Sequence, residues 1–307
     1  MLRVRGYILL VFTFIFFSAT SQTAVDSVKR MDDVVVTATR KPTAVASLPY
    51  SVNSLSKNLI QRQLSRTVPE SLNGIPGLFI QKTNHGGGSP FLRGLTGNQS
   101  LVLVDGIRLN NSIFRYGPNQ YMTLIDPYIV EKIEVVKGTG SVQHGSDAMT
   151  GVINIQTTSL QLGSKPNWQE KALIRLSESG MELTLRPELK YEGKKIAFVV
   201  GASAKKFGDL KGGDTTGFQH PTGYNEMSYD MKLKIDLGAN WIMTAAYHWL
   251  NQNNVPVFHK YTLENFAVNT SDPLKRGFGY IQAQKIFKST FFKQLDIFVA
   301  EQMIGEQ

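Results

Sequence analysis

Cysteine is absent from the 307 residues, so neither a disulfide framework nor a thiolate metal centre can organise this chain. Long apolar runs are absent too. The best of them, Tyr7 to Phe17, covers eleven residues without a charge, too short for a helix to span a bilayer. Acidic residues are the scarcer sign, 24 against 33 Lys and Arg. The resulting +9 is spread along the whole chain, so it points to no nucleic-acid partner. Nucleotide fingerprints fail as well. No Gly-Lys-Ser/Thr follows Gly86-Gly87-Gly88, and after Gly138-Thr139-Gly140 the third glycine, Gly145, comes two residues late, with Gly151 to Ile155 reading as a strand. A periplasmic oxidoreductase loses its only support with that spacing. What remains is an ordered chain, 42% hydrophobic, with room for two domains.

Arg3 and Arg5 before the apolar run, and small residues at Ala19 and Ser21 after it, predict a secretory signal peptide over residues 1–21. A polar tail follows, carrying Asp33, Val34, Val35, Val36, Thr37 and Ala38. This β-prone segment beside a chain terminus can complete another protein's sheet or form an edge strand of its own. Asn53 to Gln63 has helical spacing, and Thr67 with Glu70 reads as a capping box opening a second helix that stops at Gly74. The strand Leu78 to Gln81 leads to a glycine loop in which Asn84 and His85 can face a ligand. His85 is either a metal or haem-iron ligand or a solvated loop residue. Leu101 to Leu109 is a hairpin about Asp105-Gly106, because a type I′ turn needs two positive φ values. The loop that follows offers Arg115, Tyr116, Asn119 and Tyr121 to a ligand, or is simply a surface loop. Ile129 to Val136 and Gly151 to Ile155 close this α+β domain as strands, with turn glycines between them.

Beyond Leu160 the period becomes two. Met181, Leu183, Leu185, Leu189 and Tyr191 alternate with charged or polar residues, and so do Tyr229, Met231, Leu233, Ile235 and Leu237. Trp241 and Trp249 share one strand face about 26 Å apart at ~3.3 Å per residue, or about 19 Å along a membrane normal at 45° tilt, near the spacing of aromatic girdles. Short turns at Glu192-Gly193-Lys194 and Gly238-Ala239-Asn240 alternate with long loops, which favours an outer-membrane barrel over a soluble sandwich. Residues 161–307 suffice for about seven or eight strands at roughly ten residues each, and an open edge cannot sit in lipid, so the wall reads as the first part of a larger barrel.

Phe91-Leu92-Arg93-Gly94, Leu101 to Asn110, Ile133-Glu134-Val135-Val136-Lys137-Gly138, and Val142 to Ala148 with Gly151 to Ile155 resemble the plug domain of TonB-dependent outer-membrane receptors, and Asp33 to Ala38 resembles their TonB box. The resemblance is continuous over about residues 31–160 and is one of texture in the barrel. It implies a tail with the box over 22–45, a plug over 46–160, and barrel strands over 161–307 belonging to a 22-stranded whole. It also implies import of haem, an iron-siderophore or a cobalamin-like ligand, free or from a carrier protein, powered by inner-membrane TonB, with no enzymatic chemistry and no resident cofactor. Signalling or adhesion by the same architecture, or a non-functional truncated receptor, is the alternative. Arg93 and Lys137 are then expected to contact the barrel. Three positions depart from the family pattern: Lys137-Gly138-Thr139 stands where Arg-Gly-Pro is usual, His144 where Tyr is, and Thr150-Gly151 where Gly-Gly is.

Overall fold

The structure is a computed structural model that describes residues 34–35, 43–48, 50–82, 84–109, 120–213, 215–262, 264–267, 269–288 and 292–306. The expected signal peptide, Asp33, Val36 to Ala38, Arg115, Tyr116 and Asn119 lie outside these residues.

The plug is built on a five-stranded mixed sheet in the order Ser51–Ser56, Val130–Lys137, Gly151–Thr157, Leu101–Val104, Ile107–Arg108. Leu101–Val104 runs parallel to Gly151–Thr157, and the other pairings are antiparallel. The central strands are apolar on both faces because both are covered. Ile133, Val135, Ile153 and Ile155 lie in one core with Leu55, Ile60, Val68 and Leu72. The expected hairpin forms, with Asp105 at φ 50° and Gly106 at φ 81°. The expected helix over Asn53 to Gln63 is corrected. Ser51–Ser56 is a strand, with Val52 opposite Val136 and Leu55 opposite Ile133, and the helix is Lys57–Arg62. The second helix is Val68–Ser71 with Thr67 at its N-cap position, but Thr67 makes no side-chain cap; Glu70 accepts from the Arg66 amide at 2.6 Å instead. A one-turn helix, Ser141–His144, interrupts the turn glycines.

The wall is a seven-stranded antiparallel meander: Asn167–Leu176, Glu182–Glu192, Ile196–Phe207, Tyr224–Gly238, Trp241–Asn253, Leu274–Ile286 and Gln294–Glu306. Asn167–Leu176 carries no clear alternation of charge, and Leu274–Ile286 and Gln294–Glu306 close the series as two strands. Burial along the wall is inverted relative to a water-soluble sheet. Arg186 is 4% exposed and Leu185, next to it, 44%; Glu182, Thr184, Ser203, Lys205, Glu226 and Ser228 are buried while Leu183, Val200, Met227, Tyr229 and Met231 are not. The polar face meets the plug and the apolar face points away, as lipid on the outside requires. Trp168, Tyr191 and Phe198 cluster at the short-turn end, and Tyr229 stacks on Trp249 toward the other. Residues 208–223 and 254–273 form the long connections at that second end, joined there by the short Ser177–Met181 link. The seven strands do not close on themselves.

Candidate functional site

The seam between plug and wall holds the most concentrated chemistry in the described residues. Asp126 enters it from the plug, where Asp126-Pro127 ends an apolar segment and opens a short 3-10 turn. Its carboxylate accepts from the hydroxyls of Ser203 and Ser228, each at 2.6 Å, from the Lys205 ammonium at 3.1 Å and from the Tyr128 amide at 3.1 Å, with the Arg186 guanidinium at 3.6 Å. These wall residues come from three successive strands. Period-two alternation puts them on the inner face, and antiparallel register sets Ser203 opposite Ser228. Burial alone would raise the Asp126 pKa. Lys205, Arg186 and the two hydroxyls outweigh it and hold the carboxyl well below the usual carboxylate range.

Charge is neutralised around it in both directions. Lys205 also meets Glu226 at 2.7 Å, and Arg186 reaches Asp230 at 2.7 Å and Glu188 at 2.9 Å. The ring of Tyr128 lies under three cations, Lys205 at 5.2 Å, Arg175 at 5.7 Å and Arg186 at 5.9 Å from its centroid. A second tie lies lower in the wall. Asp105, the turn residue of the hairpin, accepts from Lys232 at 3.2 Å, Tyr280 at 2.9 Å and both the amide and hydroxyl of Thr157 at 2.7 and 2.6 Å. Burial pushes its pKa up, but Lys232 and the Thr157 bonds leave it lowered. A third tie comes from the wall: Arg175 donates to the carbonyls of Leu64 and Ser65 while paired with Glu182.

Asn84 and His85 sit at the long-loop end but face the wall. Asn84 Nδ2 donates to the Pro256 carbonyl at 3.2 Å, and its Oδ1 accepts from the amides of Gly86 and Gly87. His85 is 2% exposed and stacks on Phe207 with centroids 4.8 Å apart. A guanidinium can only donate, so His85 Nε2 accepts from Arg66 at 2.8 Å, and Nδ1 carries the proton donated to the Gly208 carbonyl at 2.9 Å. Both ring nitrogens are committed, so the ring is not presented as a free metal ligand. Burial lowers its pKa, and Arg66 adds to that against the opposing Gly208 bond. The Tyr224 hydroxyl fills the place a Cβ would take on Gly86, which is why the loop can lie flat against the wall. Tyr121 is buried in an apolar cluster with Leu109, Leu124, Phe207 and Leu250.

Arg93 and Lys137, the plug residues expected to contact the barrel, make no ion pair with the described strands of the wall. Lys137 donates to the Pro76 carbonyl at 2.7 Å, and burial with the nearby Arg93 guanidinium lowers its pKa. Arg93 is exposed, with φ 54° and no ion pair among the described residues. The acidic partners of the wall, Asp105 and Asp126, were missed. Asp105 reads as a turn residue, Asp126 lies in a stretch without a motif, and only the basic and hydroxylic positions on the inner face of the wall hint at a need for plug carboxylates. Val34–Val35, the described part of the expected TonB box, pairs antiparallel with Thr43–Ala44 of its own chain.

Residues 44–152 match the TonB-dependent receptor plug domain family. A vitamin B12 transporter of Vibrio vulnificus is 37% identical over 134 residues, 43% of this chain and 22% of that protein. An iron-regulated outer membrane virulence protein of Vibrio cholerae is 32% identical over 166 residues, 52% of this chain and 25% of its own length. The chain thus spans about a quarter or less of the curated relatives it matches. Among solved structures it is similar in fold to a copper transporter, OprC, with TM-score 0.65 and 15% identity over 82% of this chain and 37% of that one. It is also similar to the ferric enterobactin receptor PfeA of Pseudomonas aeruginosa, with TM-score 0.61 and 16% identity over 83% and 41%. Residues 44–152, which match the plug domain of TonB-dependent receptors, are thus seated against antiparallel strands that wear their apolar side outward.

Proposed function

We propose that the protein is an outer-membrane transporter in which the plug gates the lumen and TonB supplies the pull. The cargo class is a scarce metal chelate: a cobalamin, haem or a ferric siderophore. The observation that carries this reading is the seam. Beside the apolar clusters that plug and wall share, the plug is held to the inner face of the wall by ion pairs and hydrogen bonds, and such polar contacts can be exchanged for water when the plug is drawn aside. The names of the two relatives, a vitamin B12 transporter and an iron-regulated outer-membrane protein, support the cargo class. With both nitrogens of His85 engaged, recognition of the cargo falls to other groups of the plug apex, among them Arg115, Tyr116, Asn119 and the long loops of the wall.

The test is deletion of Asp33 to Ala38 in cells that display the receptor. Energised uptake of radiolabelled cobalamin or ferric chelate is expected to disappear while binding at the cell surface persists. Uptake at the undeleted rate would sink the energy-coupling reading, and loss of binding together with uptake would place the segment in folding rather than coupling.

A further inference from the structure

Most charges in the seam have an opposite partner; among the described residues Arg276 has none. Arg276, on the inner face of Leu274–Ile286, is 2% exposed, yet no carboxylate of the described residues lies within ion-pair distance. Its guanidinium donates to Gln302 at 3.1 Å and stacks on Phe278 at 4.6 Å, while Nε has no partner among the described residues. The undescribed plug segment 110–119 contains no acidic residue that could serve. One residue row away, on the neighbouring strand, His248 lies stacked on Phe278, and neither ring nitrogen has a hydrogen-bond partner among the described residues. A buried guanidinium without a counter-charge costs several kcal/mol and persists only where something else gains from it.

Arg276 and His248 border one cavity of about 10 Å³, room for a single water-sized group. Its remaining polar lining is Ser228, Asp230 and, from the plug, Asp126. Both carboxylates are already saturated, Asp230 by Arg186 and Asp126 by Lys205, Ser203 and Ser228. Leu124, Ile125 and Ile129 of the plug close the cavity from the lumen side.

The geometry points to a binding site for an oxyanion, a carboxylate or phosphate group, formed by Arg276 and His248 on the barrel wall, covered by the plug at rest and opened when the plug shifts. Guanidinium and imidazole supply convergent donors of the type that grip planar or tetrahedral oxyanions. Two sources carry that chemistry: the carboxylate of Asp126, moving from its present berth to the second one a strand or two away, or an anionic group of the cargo passing along the wall. The inference rests on the transport reading above for its uptake arm alone.

The first measurement needs no transport. In purified receptor, Arg276→Met is expected to raise the melting temperature, because it removes an uncompensated buried charge and keeps the stem's packing. A fall would show that the guanidinium is already compensated in the resting fold and would overturn the site. The second measurement is uptake relative to surface binding. Arg276→Met is expected to lower this ratio roughly tenfold, the size of one lost charge-assisted hydrogen bond, and Arg276→Lys to keep part of it. An unchanged ratio in the Met variant overturns the site. If Asp126 is the occupant, Asp126→Asn and Arg276→Met together lower uptake no further than either alone. If the cargo is the occupant, the two losses multiply, and a cargo analogue lacking its anionic group abolishes the effect of Arg276→Met. Should the unaltered receptor import nothing, the transport reading falls. The site is then judged by the melting temperature and by inorganic phosphate slowing the labelling of Arg276 with an arginine-selective dicarbonyl reagent after urea has released the plug; unslowed labelling overturns it.

Discussion

At the scale of single residues, Asp126 is the side chain on which plug and wall most depend. Asn at this position keeps the size and one acceptor oxygen but removes the charge that Lys205 and Arg186 share. Removing one member of a buried, hydrogen-bonded ion pair costs about 3–5 kcal/mol, since the remaining charge is left uncompensated. Here Glu226, Glu188 and Asp230 still hold the two cations, so the lower end of that range is expected for Asp126→Asn, measured as an earlier release of the plug in a urea titration. The pH dependence follows from the direction of the shift. A carboxyl whose folded pKa is depressed contributes stability that is fully present above its unfolded value, about 3.9, and is lost as pH falls through the folded value. The seat is therefore expected to be insensitive to pH from 8 down to about 4 and to weaken only in stronger acid, and Asp126→Asn should abolish that acid-dependent part. Weakening of the unaltered protein centred near pH 6 would assign the titration to another group.

At the scale of elements, the Asp105-Gly106 hairpin separates two roles that one residue carries. Asn-Gly favours a type I′ turn as well as Asp-Gly does, so Asp105→Asn should leave the hairpin intact while discarding the ion pair to Lys232 and weakening the bonds from Tyr280 and Thr157. The expected outcome is unchanged amide exchange protection across Leu101–Val104 with plug release made easier by about 1.5–3 kcal/mol, the range for hydrogen bonds to an ionised group. Loss of protection in the strand would mean that the latch also holds the hairpin. The same element shows what the sequence could disclose. The turn was legible because two adjacent residues decide it, and the alternation of the wall was legible because burial repeats every second residue. Ser51–Ser56 was not, since Leu55, Leu59 and Ile60 have helical spacing and only pairing with Val130–Lys137, about eighty positions away in the chain, makes the first half a strand. His85 was visible as a residue of interest, but its neutral, doubly bonded state depends on Arg66 and on a carbonyl 123 positions later, which no local pattern encodes. The carboxylate–cation pairs of the seam were hidden for the same reason, Asp126 being 79 positions from Lys205 and Asp105 127 from Lys232.

At the scale of the whole molecule, the wall is turned inside out relative to a protein folded in water, and adjacent residues can test it. Met231 and Lys232 are neighbours on Tyr224–Gly238. Met231 is 53% exposed on the outer face and Lys232 is turned inward to Asp105. Met231 pairs across the sheet with Val200 and Tyr247, between the aromatic cluster at the short turns and the Tyr229–Trp249 pair, and so lies near the middle of the apolar band. Arginine at the bilayer midplane costs about 2–4 kcal/mol in a transmembrane barrel, and little at an interface or in water. Met231→Arg is therefore expected to lower the stability of the receptor folded into phosphatidylcholine vesicles by about that amount, whereas Leu237→Arg, at the short-turn rim of the same strand, should cost about 0–1 kcal/mol. If instead the exposed apolar face were the solvent side of a soluble sandwich, both arginines would be tolerated alike and would improve solubility. The discriminating result is the difference between the two variants in lipid: a penalty that depends on depth requires a bilayer around the wall, and equal small effects would remove it.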